Sequence, residues 1–118
     1  MDQQGASLNR AEALAMLNAY RGTVGTAPLA TDAGLDTTAQ SLAAAYAKSG
    51  NAPGRPDGAV VMRVSAGYAT FAETFSGWRN SPQDASAIAD GSARRAGLGV
   101  AYEPSSTYGV YWVLVLDD

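Results

Sequence analysis

The chain contains no histidine and no cysteine, and only one of its eight basic residues is a lysine. The missing imidazole removes the usual general base, every Ser–His pair, and the neutral nitrogen ligand on which most zinc sites are built. The missing thiol removes disulfides, thiolate nucleophiles and Cys-based metal sites. It does not fix the compartment, because a domain of 118 residues folds without bridges even in an oxidising space. Positive charge is scarce: eight basic residues face eleven acids, for a net −3. Nothing in that pattern forms a basic track for nucleic acid, and the adjacent pair Arg94-Arg95 reads as a solvated loop or strand edge. No apolar run approaches the ~18–20 residues needed to span a bilayer. The start, Met1 to Ser7, is polar and carries no visible signal peptide. A protein whose leader has been removed and a cytoplasmic protein both begin this way.

What is present is a globular composition, 47% hydrophobic with 16% charged residues, in a length suited to one domain. We expect a loose tail over 1–7 and a single domain over 8–118. Asn9-Arg-Ala-Glu12 reads as a capping box opening a first helix over roughly 8–21, with Gly22 as its stop. On that helix Ala13, Leu14, Leu17, Tyr20 and Arg21 recur at helical spacing. Residues 23–31 read as a loop, and an alanine-rich helix follows Asp32 and ends near Gly50. A turn-rich stretch over 51–58 leads to a strand over 59–65. Thr70-Phe-Ala-Glu73 is a second capping box, and Ser81-Pro82 opens a short fourth helix with Asp84 in its first turn. Strands over 96–103 and 108–116 form a hairpin. The sum is an α+β fold: a small, mainly antiparallel sheet flanked by about four helices.

Several blocks carry a family likeness. The helix Ala72 to Trp78 is followed by Asn80-Ser81-Pro82 and, two residues on, by Asp84. Before it stand Leu17-Asn-Ala-Tyr-Arg21 with Pro28-Leu29, then Ser65-Ala-Gly-Tyr68; after it come Arg95 to Ala101 and Tyr108 to Val115. In this order, from Leu14 to Leu116, the chain resembles the CAP (SCP-like) superfamily of cysteine-rich secretory, antigen 5 and pathogenesis-related proteins, and its bacterial members in particular. The resemblance implies a three-layer α-β-α sandwich with a central cleft, and a protein that is extracellular, periplasmic or lipid-anchored. Metal-binding members place two histidines and two acids around that cleft. Here Asp84 stands where the second histidine would be, Met62 in the place of a glutamate, and Arg63 in that of an asparagine. The place of the first histidine falls in the shortened loop Ser49 to Gly58, so of the family's own set only Glu73 remains. The resemblance therefore implies a scaffold with a degenerate metal tetrad.

The residues themselves give little support to catalysis. Asp57, Asp84 and Glu73 offer oxygen ligands to a hard cation but lack the spacing of a calcium loop. Raising Asp84 or Glu73 to a useful pKa of ~6–7 would take roughly 3–4 kcal/mol against the charged form. Both instead occupy the third position of a helix, where backbone amides favour the charged form. Ser81 reads as an N-cap and Ser76 as a small packing residue. Lys48 has no Ser–Lys motif around it, and Gly97-Leu-Gly99 is a strand pair with no helix behind it. Phe71, Phe75, Trp78 and Trp112 are expected in the core. Some of Tyr20, Tyr46, Tyr68, Tyr102, Tyr108 and Tyr111 are expected at a cleft rim, near Arg63 and Asn80.

The expectation is thus a non-catalytic binding or interaction module of the bacterial cell envelope, without cofactor or metal. Its candidate cleft comprises Met62, Arg63, Tyr68, Glu73, Asn80 and Asp84. The expected partner is a lipid, a small molecule or an envelope protein, and the expected state a monomer or weak dimer. The alternatives are a metal-independent hydrolase using the cleft carboxylates and a purely structural contact domain.

Overall fold

The computed structural model describes residues 10–118 apart from Asp57, Ala69 and Thr107. The 1–7 tail, the cap at Asn9 and the candidate cation ligand Asp57 lie outside the described residues. The chain runs α1 (Arg10–Thr23), β1 (Ala30–Thr31), α2 (Ala33–Ser49), β2 (Val61–Ala66), α3 (Phe71–Asn80), α4 (Pro82–Ile88), β3 (Arg95–Tyr102) and β4 (Val110–Asp117). The strands form one sheet in the order β1-β3-β4-β2. β1 lies parallel to β3, and the other pairings are antiparallel.

Most element ends follow from local chemistry. Asp32 caps α2 by accepting from the Leu35 amide at 2.9 Å, and Gly50, left-handed at φ 76°, closes it. α1 passes through Gly22 to Thr23, and the left-handed glycine behind it is Gly25. β1 corrects the loop expected over 23–31. Two residues leave no periodicity to read, and the strand is positioned from outside itself. Asn18 clamps Leu29 by accepting its N–H at 2.7 Å and donating to its carbonyl at 3.0 Å. The next amide, Ala30, then reaches the Arg94 carbonyl at 2.8 Å.

The pleat sends alternate residues of β4 into two cores. Trp112, Leu114 and Leu116 face Leu17, Phe71, Phe75, Trp78 and Ile88. Val113 and Val115 face Ala39 and Ala43 of α2. β4 is buried on both faces, so it reads as an unbroken apolar run. The result is three layers, with α2 on one side of the sheet and α1, α3 and α4 on the other.

Gly97 and Gly99 set how closely α2 approaches. A methyl at Gly97 would overlap the Leu35 carbonyl, and one at Gly99 would lie 2.5 Å from the Ala39 carbonyl. At that range side chains of α2 bond directly to β3. Asp36 accepts from the Leu98 amide at 3.0 Å, while Arg10 donates to the Leu98 carbonyl at 3.0 Å. Gln40 takes both backbone groups of Val100, at 3.1 and 2.7 Å. β1 pairs only with Arg95 and Ala96, so these side chains continue the ladder along the rest of that edge.

Candidate functional site

Three indole and carboxylate contacts place the region around β2, α3 and α4. Thr70 caps α3, accepting from the Glu73 amide at 3.2 Å and donating to its carboxylate at 3.1 Å. Trp78, buried at the far end of α3, donates from Nε1 to the Val64 carbonyl at 3.0 Å and so ties the helix to strand β2. Phe71 stacks on Phe75 and meets Trp78 and Trp112 at centroid distances of 5.9–6.0 Å. The four aromatics expected in the core are therefore one cluster. Trp112 in turn donates to the Tyr68 carbonyl at 2.8 Å.

α4 starts at Pro82 with Ser81 in the expected N-cap position and extended, although among the described residues its hydroxyl makes no cap bond. Asp84 has another partner as well as the helix start: its carboxylate pairs with the Arg63 guanidinium at 3.2 Å. The pair is about one-third exposed, so it is worth no more than ~1 kcal/mol to stability. Its Arg63 member lines an open groove of about 600 Å³ between β2 and α4, walled by Val60, Val61 and Arg63 on one side and Gln83, Ser86 and Asp90 on the other. Among the described residues Arg63 Nε is buried without a hydrogen-bond partner. Asp90 accepts from the Ser92 hydroxyl at 2.6 Å and its amide at 2.8 Å. These bonds, with a smaller contribution from Arg21, hold its carboxyl below the usual carboxylate range.

The six candidate residues do not converge. Met62 adjoins Arg63 in the strand and therefore points to the opposite face, where it packs against Ala39 and Ala43 of α2. Glu73 is exposed at the start of α3 and bonded to Thr70, with about 10 Å of helix between it and the end of α3. Asn80 is exposed at that end, and Tyr68 is exposed beside the start of the helix. Only Arg63 and Asp84 meet.

Residues outside the expected set complete the region. Gln83, Ser86 and Asp90 carried no motif. Arg21 did leave a signal, since it falls on the apolar face of α1. It is fully buried and donates to the carbonyls of Ala27, Ile88, Asp90 and Ala93 at 2.8–3.0 Å. Burial lowers its pKa and the Asp90 charge partly restores it. Arg21 thus fixes the end of α4, and with it one wall of the groove.

A metal does not fit this arrangement. Asp84 is engaged by a cation, Met62 lies across the sheet, and no three acidic side chains gather among the described residues. A second groove, of about 470 Å³, runs between α1 and α3. Met16, Ala19, Tyr20, Ala72 and Phe75 line it, and Arg79 lies over the Phe75 ring at 5.5 Å. No helix among the described residues is long and apolar enough to cross a membrane.

Comparison with known proteins agrees with the topology. The family model described as CAP, the cysteine-rich secretory protein family, matches residues 14–116. The crystal structure of MpPR-1i soaked with selenourea superposes with a TM-score of 0.77 at 22% identity, over 92% of this chain and 89% of that one. An outer surface protein from Borrelia burgdorferi gives 0.74 at 13% identity, over 99% of this chain and 96% of that one. An extracellular protein containing an SCP domain from Bacillus anthracis gives 0.65 at 13% identity; the match covers 92% of this chain but 40% of that longer one. These likenesses are of fold. A search of curated protein sequences gives no match.

Proposed function

The chain belongs to the cysteine-rich secretory protein (CAP) family, and we propose that it is an exported, non-catalytic binding module that takes its ligand in the groove between β2 and α4. The observation that carries this reading is the Arg63–Asp84 ion pair. By the family resemblance, Asp84 holds the place of a metal-binding histidine, and here its charge is neutralised by the neighbouring strand. A carboxylate so engaged is poorly placed to act as a general base. The Arg63 side chain is one-third exposed, and with Gln83 and Ser86 across the groove it offers polar contacts to a ligand carbonyl or carboxylate. That chemistry suits a small acylated molecule or an extended segment of an envelope protein. Export and a bacterial envelope setting follow the names of two neighbours, an outer surface protein and an extracellular one.

The test is a titration of isotope-labelled protein with short N-acetylated peptides and N-acetyl sugars, read by amide shifts. Shifts at Val60 to Arg63 and Gln83 to Ala87, weakened in Arg63→Ala, support the reading. Shifts confined to other elements would overturn it. Turnover of ester or peptide substrates that disappears in Asp84→Ala would establish the hydrolase alternative instead.

Lipid binding has its own support at the α1–α3 groove, where apolar side chains meet one cation, Arg79. A fatty acid that raises the melting temperature of the native protein, and fails to do so for Arg79→Glu, would favour that reading.

A further inference from the structure

The two outer edges of the sheet are finished differently. Bonds from the Gly67 amide to the Val110 carbonyl at 2.9 Å, and from the Glu103 amide to the Gly109 carbonyl at 2.8 Å, continue the two registers of β4. Because facing groups alternate along an antiparallel pair, they fix which backbone groups turn away from β4. On β3 those of Leu98 and Val100 turn outward, and the side chains of Arg10, Asp36 and Gln40 take all four. On β2 those of Met62, Val64 and Ala66 turn outward. Trp78 takes the Val64 carbonyl and Arg55 the Val60 carbonyl, each at 3.0 Å. Between them, nothing among the described residues pairs with the N–H or the C=O of Met62. One edge of the sheet is thus guarded by side chains, and the other is left open at one residue.

An outward N–H and C=O on one strand residue match the C=O and N–H of an extended polypeptide. The two faces of β2 say which side chains such a segment would carry. On the α2 side Met62 and Val64 are half-buried, because α2 lies over β3 and β4 rather than over β2, so apolar residues fit there. On the other side the segment meets the β2–α4 groove, where Gln83 and Ser86 suit polar residues. The charged residues lining that groove are Arg63 and Asp90. Asp84 answers the charge of Arg63 at 3.2 Å. Asp90 accepts from Ser92 and forms no salt bridge among the described residues, since the N–H groups of Arg21 are spent on main-chain carbonyls. The groove therefore favours a lysine or arginine. A second copy of this chain, at net −3, is the poorer match. We propose that the outer edge of β2 at Met62 takes up an extended basic polypeptide segment by main-chain pairing, with its polar side chains entering the β2–α4 groove. This rests on the groove being the binding site and names its occupant.

The probe is the peptide acetyl-Thr-Val-Lys-Val-Thr-amide, titrated into isotope-labelled full chain and followed by amide shifts and hydrogen exchange. In the free protein the Met62 amide should exchange at least about tenfold faster than those of Arg63 and Ser65, which face β4. The peptide should bind with a dissociation constant in the millimolar range, shift Met62 and slow its exchange. Glutamate in place of the lysine should weaken binding about twofold to fivefold, and Asp90→Asn should erase that difference. Two further peptides carry N-methyl groups, one on both valines and the other on the lysine and threonines. Pairing uses the N–H groups of one row, so one of the two should bind about threefold to tenfold more weakly. Loss on the valines means antiparallel addition, and loss on the polar row means parallel addition. A Met62 amide already protected in the free protein, or N-methyl peptides that both bind like the parent, would overturn the proposal. Groove shifts at Gln83 to Ala87 from N-acetyl sugars alone would overturn main-chain pairing and leave the groove reading standing. The absence of shifts from sugars and peptides alike would overturn both.

Discussion

Arg21 shows how much of this fold one side chain can hold. Its guanidinium is fully buried, and its N–H groups are spent on four carbonyls from the 27, 88, 90 and 93 positions. Removing it strips a donor from the buried carbonyls of Ile88 and Ala93 in particular, at ~1–3 kcal/mol for each that water cannot reach, while the Asp90 carbonyl still accepts from the Ala93 amide. Arg21→Met should therefore lose at least ~3 kcal/mol in urea unfolding. Arg21→Lys should lose nearly as much, because a point charge cannot serve a forked set of acceptors. A lysine variant as stable as the parent would show that charge alone suffices. Trp78 separates packing from bonding in the same way. Trp78→Phe gives up the bond to Val64 and should cost ~1 kcal/mol, whereas Trp78→Ala also opens a cavity and should cost ~3–5 kcal/mol. Equal effects of the two would mean that the indole nitrogen, not the ring, anchors α3.

Among the elements, α2 and β3 behave as one unit because neither glycine of Gly97-Leu-Gly99 can carry a side chain. Gly99→Ala should force the helix outward, costing ~1–3 kcal/mol or more by overpacking and loosening the Gln40 clamp on Val100. Hydrogen exchange would detect this as lost protection at the Val100 amide, and Gln40→Ala should give the same local loss with a smaller change in global stability. An unprotected Val100 amide in the parent would remove the basis of both expectations. Such pairings explain what was legible in the sequence. The ends of α2 and α3 were, because Asp32, Gly50 and Thr70 act on neighbours within one turn. The hairpin was, because β4 is apolar throughout. β1 was not, since its two residues are held by Asn18 and by β3 from outside. The Arg63–Asp84 pair was not, since it joins two elements through tertiary packing alone. Part of the site error was avoidable: consecutive strand residues Met62 and Arg63 cannot line the same groove.

For the molecule as a whole, the absent imidazole and thiol set its response to pH. No side chain with an ordinary pKa between about 5 and 9 is present, so melting temperature should be flat from about pH 5 to 8. The acid limb is different. The Leu35 amide and then Arg95 hold Asp32 below the usual carboxylate range, and Ser92 does the same for Asp90. A carboxyl whose folded pKa is lowered stabilises the fold fully above its unfolded pKa, near 4. As pH falls through that value the unfolded chain takes up protons first, and the contribution is lost progressively down to the folded pKa. Asp32 joins α2 to β3 through Arg95, which also reaches Asp117 of β4, so its protonation loosens three elements together. Melting temperature should thus fall steeply below about pH 4, and Asp32→Asn should have a lower plateau and a shallower acid limb. Asp90→Asn should act likewise, and the two effects should add, since the residues bond different partners. A parent curve that slopes between pH 6 and 7, or an acid limb unchanged in both variants, would contradict this account of where the protons bind.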